Sequence, residues 1–461
     1  MNAFQDIKRA YFLGIGGIGM SAIARYLNAT GIEVAGYDRV STPLTDQLSR
    51  EGIMIFFTEN KEKIPEKFRE KENVLIIYTP AIPVNHEGFR FFREKDFRMI
   101  KRSEALGKIM NTKKGIAIAG THGKTTVSCI ITHLLNESGV KCNAFLGGIS
   151  KNLNSNLLLN PDAECIIAEA DEFDRSFHQL HPHLAVVTSI DPDHLDIYDI
   201  YENLKAAFGK FVSQIKKGGE LIFKHGLPLV IPEGVKAMTY SLNSREADFH
   251  PVDEKREGFR YTFGLKTPEG IIKNLQLNVY GRVNLENAVA ACSVAHSLGV
   301  KEIQVRDALA SYSGVWRRFD VRVEEEGIIY IDDYAHHPEE LNAFIASVRE
   351  ALPGKRITGI FQPHLYSRTR DFAAGFATSL SALDDVVLLD IYPAREKPIP
   401  GVSSELIYKK LHNAGEKILV SKDQLLKAVH ELKPEVLLSM GAGDIDQLVE
   451  PVENLIKEMN R

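Results

Sequence analysis

The sequence predicts an α/β protein assembled from three blocks. Its 461 residues exceed what one core usually serves. Short apolar runs alternate with helix-patterned stretches, as parallel sheets require. Two glycine-rich turns each stand between such a run and a helix, where phosphate-binding backbones occur.

The first block spans residues 1–106. Ala10–Leu13 reads as a buried strand, followed by a glycine turn and a helix over Met20–Leu27. Glu33–Tyr37 is a second strand ending at Asp38, and Val74–Thr79 a third, stopped by Pro80. The second block, 107–314, opens with the strand Gly115–Ala119 and a helix from about Thr125. The strands Glu164–Ala168 and Leu184–Thr188 follow, with acidic or histidine residues beyond their ends. From Gly219 to Tyr280 the pattern turns to short β-like runs, among them Glu220–Phe223 and Phe259–Phe263, and the helix Asn284–Leu298 closes the block. The third block, 315–461, places Ile328–Ile331, Arg356–Phe361, Val386–Asp390, Ile418–Val420 and Val436–Ser439 as strands between helices, a second doubly wound series.

Charge argues against a nucleic-acid partner. The 56 basic and 61 acidic residues leave a net −5, and no basic stripe appears. Four cysteines (129, 142, 165, 292) lack disulfide or zinc spacing and read as reduced core thiols of a cytoplasmic protein. No apolar run is long enough to span a membrane. The uncharged run Tyr11–Ala24 behind Lys8-Arg9 imitates a secretory signal, but its four glycines make a poor helix.

The strongest motif is Gly120-Thr121-His122-Gly123-Lys124-Thr125-Thr126. Glycines let N–H groups converge on phosphate oxygens and the helix N-terminus adds positive potential. Lys124 can reach the β- and γ-phosphates of ATP, and Thr125 can place a hydroxyl on Mg²⁺. Ile118 stands where the common motif has its first glycine. Glu169 and His194, expected past strand ends, are candidates for holding cations there.

Gly14-Ile15-Gly16-Gly17-Ile18-Gly19 carries G-x-G-x-x-G, with Asp38 placed for a ribose hydroxyl. Such glycines admit any pyrophosphate, so a UDP group fits as well as NAD. In the last block, Arg317-Arg318-Phe319, Asp332–Pro338 and His364–Arg368 gather arginine, carboxylate and imidazole groups suited to polar substrate contacts. The His336-His337 pair suggests zinc, but no acid stands at ligand spacing on the same helix.

Taken together, these motifs resemble the bacterial Mur ligases. The likeness runs in order through Gly14–Gly19, Gly120–Thr126, Glu169–Phe177, Asp191–Tyr198, Gly281–Ala291, Gly314–Asp320, Asp332–Pro338, Phe361–Thr369 and Tyr392–Val402. It implies an N-terminal Rossmann-like domain for a UDP-substrate, a central P-loop domain with a mixed sheet for ATP, and a C-terminal Rossmann-like domain. It implies ligation of L-alanine to UDP-N-acetylmuramate in peptidoglycan precursor synthesis, with ATP and two Mg²⁺ ions, and leaves a homodimer open. It assigns Thr125 and Glu169 to one Mg²⁺ and His194 to a second. Asn284 and Asn287 go to the adenine region, and Arg318 and Asp333 to the nucleotide. Gly14, Gly16, Gly17, Ile18, Gly19, Asp38 and Arg102 go to the sugar nucleotide. Tyr334, His336 and Arg368 go to the amino acid and the ligation centre. Lys124, Glu169, His194, His336 and Arg368 form the implied catalytic set.

The sequence departs from that pattern at Val283, where relatives have His, at Leu365 for Arg, and at Phe173 for Ser. Phe208 stands where sister ligases carry a carbamylated lysine. Other readings are a ligase that recycles a whole peptide onto the same sugar nucleotide, a nucleotide-gated binding protein, and an NAD-dependent oxidoreductase, which would leave Lys124 unexplained.

Overall fold

The computed structural model describes residues 3–192, 195–325, 327–394, 396–412 and 415–459. Two compact units divide it. One comprises Met1–Lys255, Thr262–Leu277 and Leu285–Ser313, the other Arg256–Tyr261, Asn278–Asn284 and Gly314–Arg461.

The first unit holds two large sheets. Strands β1 (Arg9–Leu13), β2 (Glu33–Tyr37), β3 (Met54–Phe56), β4 (Val74–Tyr78) and β5 (Arg98–Lys101) pair in parallel in the order β3-β2-β1-β4-β5. Strand order reverses at β1, so the turn leaving its carboxyl end opens on the crevice where doubly wound sheets bind ligands. That turn is the glycine run, and it feeds helix α1 (Ile18–Ala29). After β5 comes helix α2 (Arg102–Met110).

The second sheet contains β6 (Lys114–Ala119), β7 (Cys142–Ser150), β8 (Ser155–Leu158), β9 (Cys165–Ala170), β10 (Leu184–Val187), β11 (Glu220–Lys224) and β12 (Lys236–Tyr240). Their order is β12-β11-β10-β6-β9-β7-β8, and only the β7–β8 pairing is antiparallel, so the sheet is mixed. From central β6 the chain passes through the lysine-bearing loop into helix α3 (Lys124–Glu137), whose residues 126–135 are all buried. Burying each Ile or Leu of such a helix contributes about 1.5–3 kcal/mol, which fixes the loop to a rigid support. A three-stranded sheet of β13 (His250–Glu257), β14 (Arg260–Thr267) and β15 (Gly270–Leu277) precedes helix α4 (Arg282–Ser297).

The second unit holds β16 (Asp320–Glu325), β17 (Ile328–Asp333), β18 (Ile357–Phe361), β19 (Asp385–Leu389), β20 (Lys417–Val420) and β21 (Val436–Met440). The order is β16-β17-β21-β18-β19-β20, parallel except at β16–β17. Asp333, Met440 and Phe361 lie in register at the carboxyl ends of three adjacent strands. Helices α5 (Pro338–Ala351) and α6 (Tyr366–Leu380) follow β17 and β18.

Two expectations are corrected here. Glu169 does not follow its strand. β9 continues to Ala170, because Glu169 pairs in register with Ile118 and its polar side chain finds donors inside the sheet. Asp332 and Asp333 likewise belong to β17, where Arg317 and backbone N–H groups satisfy them. Strand β7 went unread because Gly147-Gly148 looks like a loop. Position 147 needs glycine for another reason: a Cβ there would stand 2.3 Å from Glu169 Oε2. All four cysteines are buried and in no disulfide, and no helix among the described residues is long and apolar enough to cross a membrane.

Candidate functional site

The lysine-bearing loop is held from two neighbouring strands. Gly120 sits at φ +142°, and a Cβ there would come within 1.9 Å of Thr188 Oγ1, so only glycine fits. The Thr188 hydroxyl, just past β10, donates to the carbonyls of Ala119 (3.2 Å) and His122. Ser189 Oγ accepts from His122 N–H at 2.9 Å and lies 2.8 Å from Thr121 Oγ1, which in turn accepts from Asp191 N–H at 3.0 Å. Gly123 adopts φ +83° and no side chain caps α3, so its N-terminal dipole is left for an anion.

Lys124 Nζ donates to the Gly120 carbonyl at 2.6 Å and to Glu172 Oε1 at 2.8 Å. The Glu172 side chain is wholly buried. Burial alone would depress the Lys124 ammonium, but Glu172, with Asp171 and Glu169, holds its pKa above the usual lysine range. The lysine therefore stays charged, and its third N–H makes only a long contact, 3.4 Å, to the Thr121 carbonyl. Thr125 Oγ1 donates to Glu169 Oε2 at 3.1 Å, and Glu169 Oε1 accepts from Ser128 Oγ (3.1 Å) and Gly147 N–H (2.6 Å). Burial pushes the Glu169 carboxyl above its ordinary range, against the Gly147 hydrogen bond.

At the glycine turn, Gly14 has φ +87°. A Cβ on Gly16 would lie 2.9 Å from Asp38 Oδ2, and one on Gly19 would lie 2.6 Å from Arg102 Nη1. Asp38 accepts from Gly16 N–H and Arg39 N–H, each at 2.7 Å, so its carboxylate braces the turn. Arg102, at the start of α2, lies over the first turn of α1 and donates to Asp171 Oδ2 at 2.9 Å.

In the second unit, Arg317 donates to buried Asp332 (3.0 Å) and to the Gly441 carbonyl (2.7 Å). Asp333 accepts from Phe319 N–H at 2.7 Å and Ala335 N–H at 2.8 Å. The Arg318 guanidinium lies 5.0 Å from the Tyr334 ring centroid, within cation–π range, and the Tyr334 and His336 rings are 5.3 Å apart. His364 is 6.0 Å from His336 and stacks at 5.7 Å on Tyr392. Arg368 occupies the first turn of α6, and its Nη1 is buried with no hydrogen-bond partner among the described residues.

Burial pushes the Asp333 carboxyl up to about 6, despite the Arg318 charge and the two N–H donors. Its folded value thus exceeds the unfolded one of about 4. The group's contribution to stability is full below about pH 4 and is lost as pH rises through about 6. The stability difference between wild type and Asp333→Asn, followed by thermal melts, should decline across that window. A pH-independent difference would contradict it.

Three family models match in sequence. "Mur ligase family, catalytic domain" matches residues 9–114, "Mur ligase middle domain" 118–295, and "Mur ligase, glutamate ligase domain" 317–443. The chain is 50% identical over 456 residues, 98% of its length and all of the relative's, to the UDP-N-acetylmuramate–L-alanine ligase of Porphyromonas gingivalis strain W83. The chain belongs to the Mur ligase family.

Two further comparisons agree. The Mur ligase of this name from Phocaeicola vulgatus is 46% identical over 98% of this chain and 99% of its own. The crystal structure of the UDP-N-acetylmuramate-alanine ligase of Thermotoga maritima superposes with TM-score 0.82 at 25% identity, covering 98% and 99% of the two chains. The three-domain α/β architecture expected for a Mur ligase is present, and the chain is an ATP-dependent ligase.

The structure draws Gly120–Thr126 and Glu169 together, as well as Gly14–Gly19, Asp38 and Arg102, and Arg318, Tyr334 and His336. His194 lies outside the described residues. Asn287 sits against the phosphate loop itself, where its Oδ1 would be 2.7 Å from a Cβ on Gly123. Asn284 is buried and donates to the Tyr280 carbonyl at 2.6 Å. Val283 is 48% exposed, so no packing demand replaces the family's histidine. Leu365 has φ +70° and donates its N–H to the Tyr392 carbonyl, a left-handed conformation costly for a branched residue. Phe208 is fully buried core against Phe177.

Residues missed from sequence are Ser128, Glu172, Thr188, Ser189, Gly147 and Glu340. Glu340 corrects the expectation that no acid stands at ligand spacing beside the histidine pair on the same helix. Its Oε2 accepts from the N–H groups of His336 (3.0 Å) and His337 (3.2 Å) and lies 3.2 Å from His336 Nδ1. Despite burial, the His336 contact holds the Glu340 carboxyl well below its ordinary range. The spacing of four from His336 was available as a signal. Among the described residues, no group of three His, Cys, Asp or Glu side chains could hold a metal.

Proposed function

We propose that this chain ligates L-alanine to the lactyl carboxylate of UDP-N-acetylmuramate, consuming ATP and releasing ADP and phosphate, in cytoplasmic peptidoglycan precursor synthesis. Its end-to-end identity with ligases of that name carries the reading. The arrangement of Lys124, Thr125 and Glu169 supports it.

A carboxylate is a poor acyl donor because oxide is a poor leaving group. Attack of the lactyl carboxylate on the γ-phosphorus of ATP forms an acyl–O–P bond and breaks the bond to ADP. Lys124, held by Gly120 and Glu172, exchanges its long contact to the Thr121 carbonyl for the transferring phosphoryl oxygens. The amine of alanine then forms the C–N bond and phosphate departs. Tyr334, His336 and Arg368 hold the amino acid, with Arg318 and Asp333 near the nucleotide and Asn284 and Asn287 in the adenine region. Gly14, Gly16, Gly17, Ile18, Gly19, Asp38 and Arg102 bind the sugar nucleotide. Residues 1–106, 107–314 and 315–461 form the corresponding domains.

A hydroxyl beside a carboxylate is a hard oxygen donor pair that fits Mg²⁺. Thr125 and Glu169 would hold one ion, and His194 a second. Bound there, Mg²⁺ neutralises phosphate charge. Glu169→Gln keeps the shape and one acceptor, so apparent Mg²⁺ affinity, read by titration with an ATP analogue, should fall roughly 10–100-fold. An unchanged titration would remove Glu169 from the set.

The test is mass analysis of products after incubation with ATP, UDP-N-acetylmuramate, mixed amino acids and a tripeptide. The expected product gains one alanine residue. Preferential gain of the tripeptide would establish the recycling ligase instead, and no product would refute ligation.

A further inference from the structure

Adjacent residues Asp171 and Glu172 each hold a different phosphate-site cation. Asp171 Oδ2 accepts from Arg102 at 2.9 Å, and Arg102 lies over Gly19 at the glycine turn. Glu172 Oε1 accepts from Lys124 of the ATP loop at 2.8 Å. A third tie follows within two residues, where Asp174 Oδ2 accepts from Lys101 at 2.9 Å. Glu172 is wholly buried, whereas the Asp171 side chain is 34% exposed and within reach of an incoming group.

The backbone carbonyls of both residues are anchored. Asp171 carbonyl accepts from Phe177 N–H (2.8 Å), and Glu172 carbonyl accepts from Tyr198 OH (2.6 Å) and Arg175 N–H (2.9 Å). Just beyond them, Asp174 and Arg175 sit at φ +53° and +54°, left-handed conformations that cost non-glycine residues free energy. The two carboxylates are joined by a single peptide bond and followed at once by this strained pair, so a shift of one is passed to the other through the backbone.

We propose that Asp171 and Glu172 are positioning residues that couple the sugar-nucleotide site to the ATP site. The proposal rests on the assignment of Gly14–Gly19 with Arg102 to the UDP diphosphate and of Lys124 to ATP. A diphosphate arriving at the glycine turn competes with Asp171 for the Arg102 guanidinium. Once Asp171 is displaced, the strained segment relaxes, and Glu172 yields Lys124 to the γ-phosphate. Each nucleotide removes part of the cost of binding the other. By linkage the effect is reciprocal, with the same factor in both directions.

Calorimetry tests this with UDP-N-acetylmuramate and a non-hydrolysable ATP analogue with Mg²⁺, each titrated alone and in the presence of the other. Wild type should bind each about 5–50-fold more tightly when the other is present. Asp171→Asn keeps an acceptor for Phe173 N–H, which Asp171 Oδ1 now receives at 3.0 Å, but loses the competing charge. It should bind UDP-N-acetylmuramate several-fold more tightly alone, with coupling reduced to within twofold. Glu172→Gln, approached from the other side, should bind the ATP analogue more tightly alone and also lose the coupling. A merely structural role would weaken binding and leave the coupling factor in place, and that result would overturn the proposal. So would absence of coupling in wild type. Failure of wild type to bind one of the nucleotides at all would instead refute the assignment of its site.

Discussion

Lys124→Ala should lower the rate of phosphoryl transfer by at least roughly 100–1000-fold, the effect of deleting one preorganised donor to a developing charge. UDP-N-acetylmuramate affinity, measured without ATP, should not fall, because the proposed site for that ligand, Gly14–Gly19 with Arg102, belongs to a different sheet. The variant carries a second consequence. Lys124 is the partner of a wholly buried carboxylate. Removing one member of such a pair costs about 3–5 kcal/mol, so the variant should also melt lower. Lys124→Ala combined with Glu172→Gln separates the two effects: stability should return and turnover should not. Recovery of turnover in the double variant would show that Lys124 acts through folding alone, and equal loss of sugar-nucleotide affinity would sink the assignment of separate sites.

Asp332→Ala should be the most damaging single change in the second unit. Asp332 is fully buried in β17, where it accepts from Arg317 Nε and from the Ser439 hydroxyl, and Ser439 also contacts Tyr330 OH at 2.9 Å. Truncation leaves the Arg317 guanidinium without its counter-charge, a loss of about 3–5 kcal/mol. Arg317 also donates to the Gly441 carbonyl and receives Tyr334 N–H on its own carbonyl. Its neighbours Arg318 and Tyr334 should lose their relative placement with it. Urea unfolding followed by the intrinsic fluorescence of Trp316, the protein's one tryptophan, should show the midpoint falling. Replacing Arg317 and Asp332 together by apolar residues should recover part of it, since the desolvation cost of both charges disappears. An unaltered midpoint in the single variant would show the pair to be energetically idle.

The parts of this protein legible from sequence are those whose chemistry is local. Gly120, Gly123, Lys124 and Thr125 lie within six residues on one turn, and the helix that follows them is dictated by the same stretch. Gly14–Gly19 and its strand are equally contiguous, as is Tyr334 with His336. The strand edges were less legible, because Glu169, Asp332 and Asp333 are polar residues that tertiary partners make acceptable inside a sheet.

Only the tertiary structure decided which groups complete each site. Parallel pairing of β6 with β9 and β10 brings Glu169, Thr188 and Ser189 to the loop from some 45 to 70 positions away, and Asp171 reaches Arg102 across 69. Glu172 reads in sequence as one more acid in an acidic run, yet burial beside Lys124 makes it the lysine's counter-charge. Sequence by itself determined the two glycine turns, the lysine and the alternating strands, because backbone geometry and periodicity are properties of neighbouring residues. The partners of those groups are set by sheet register and burial, which act between residues distant along the chain.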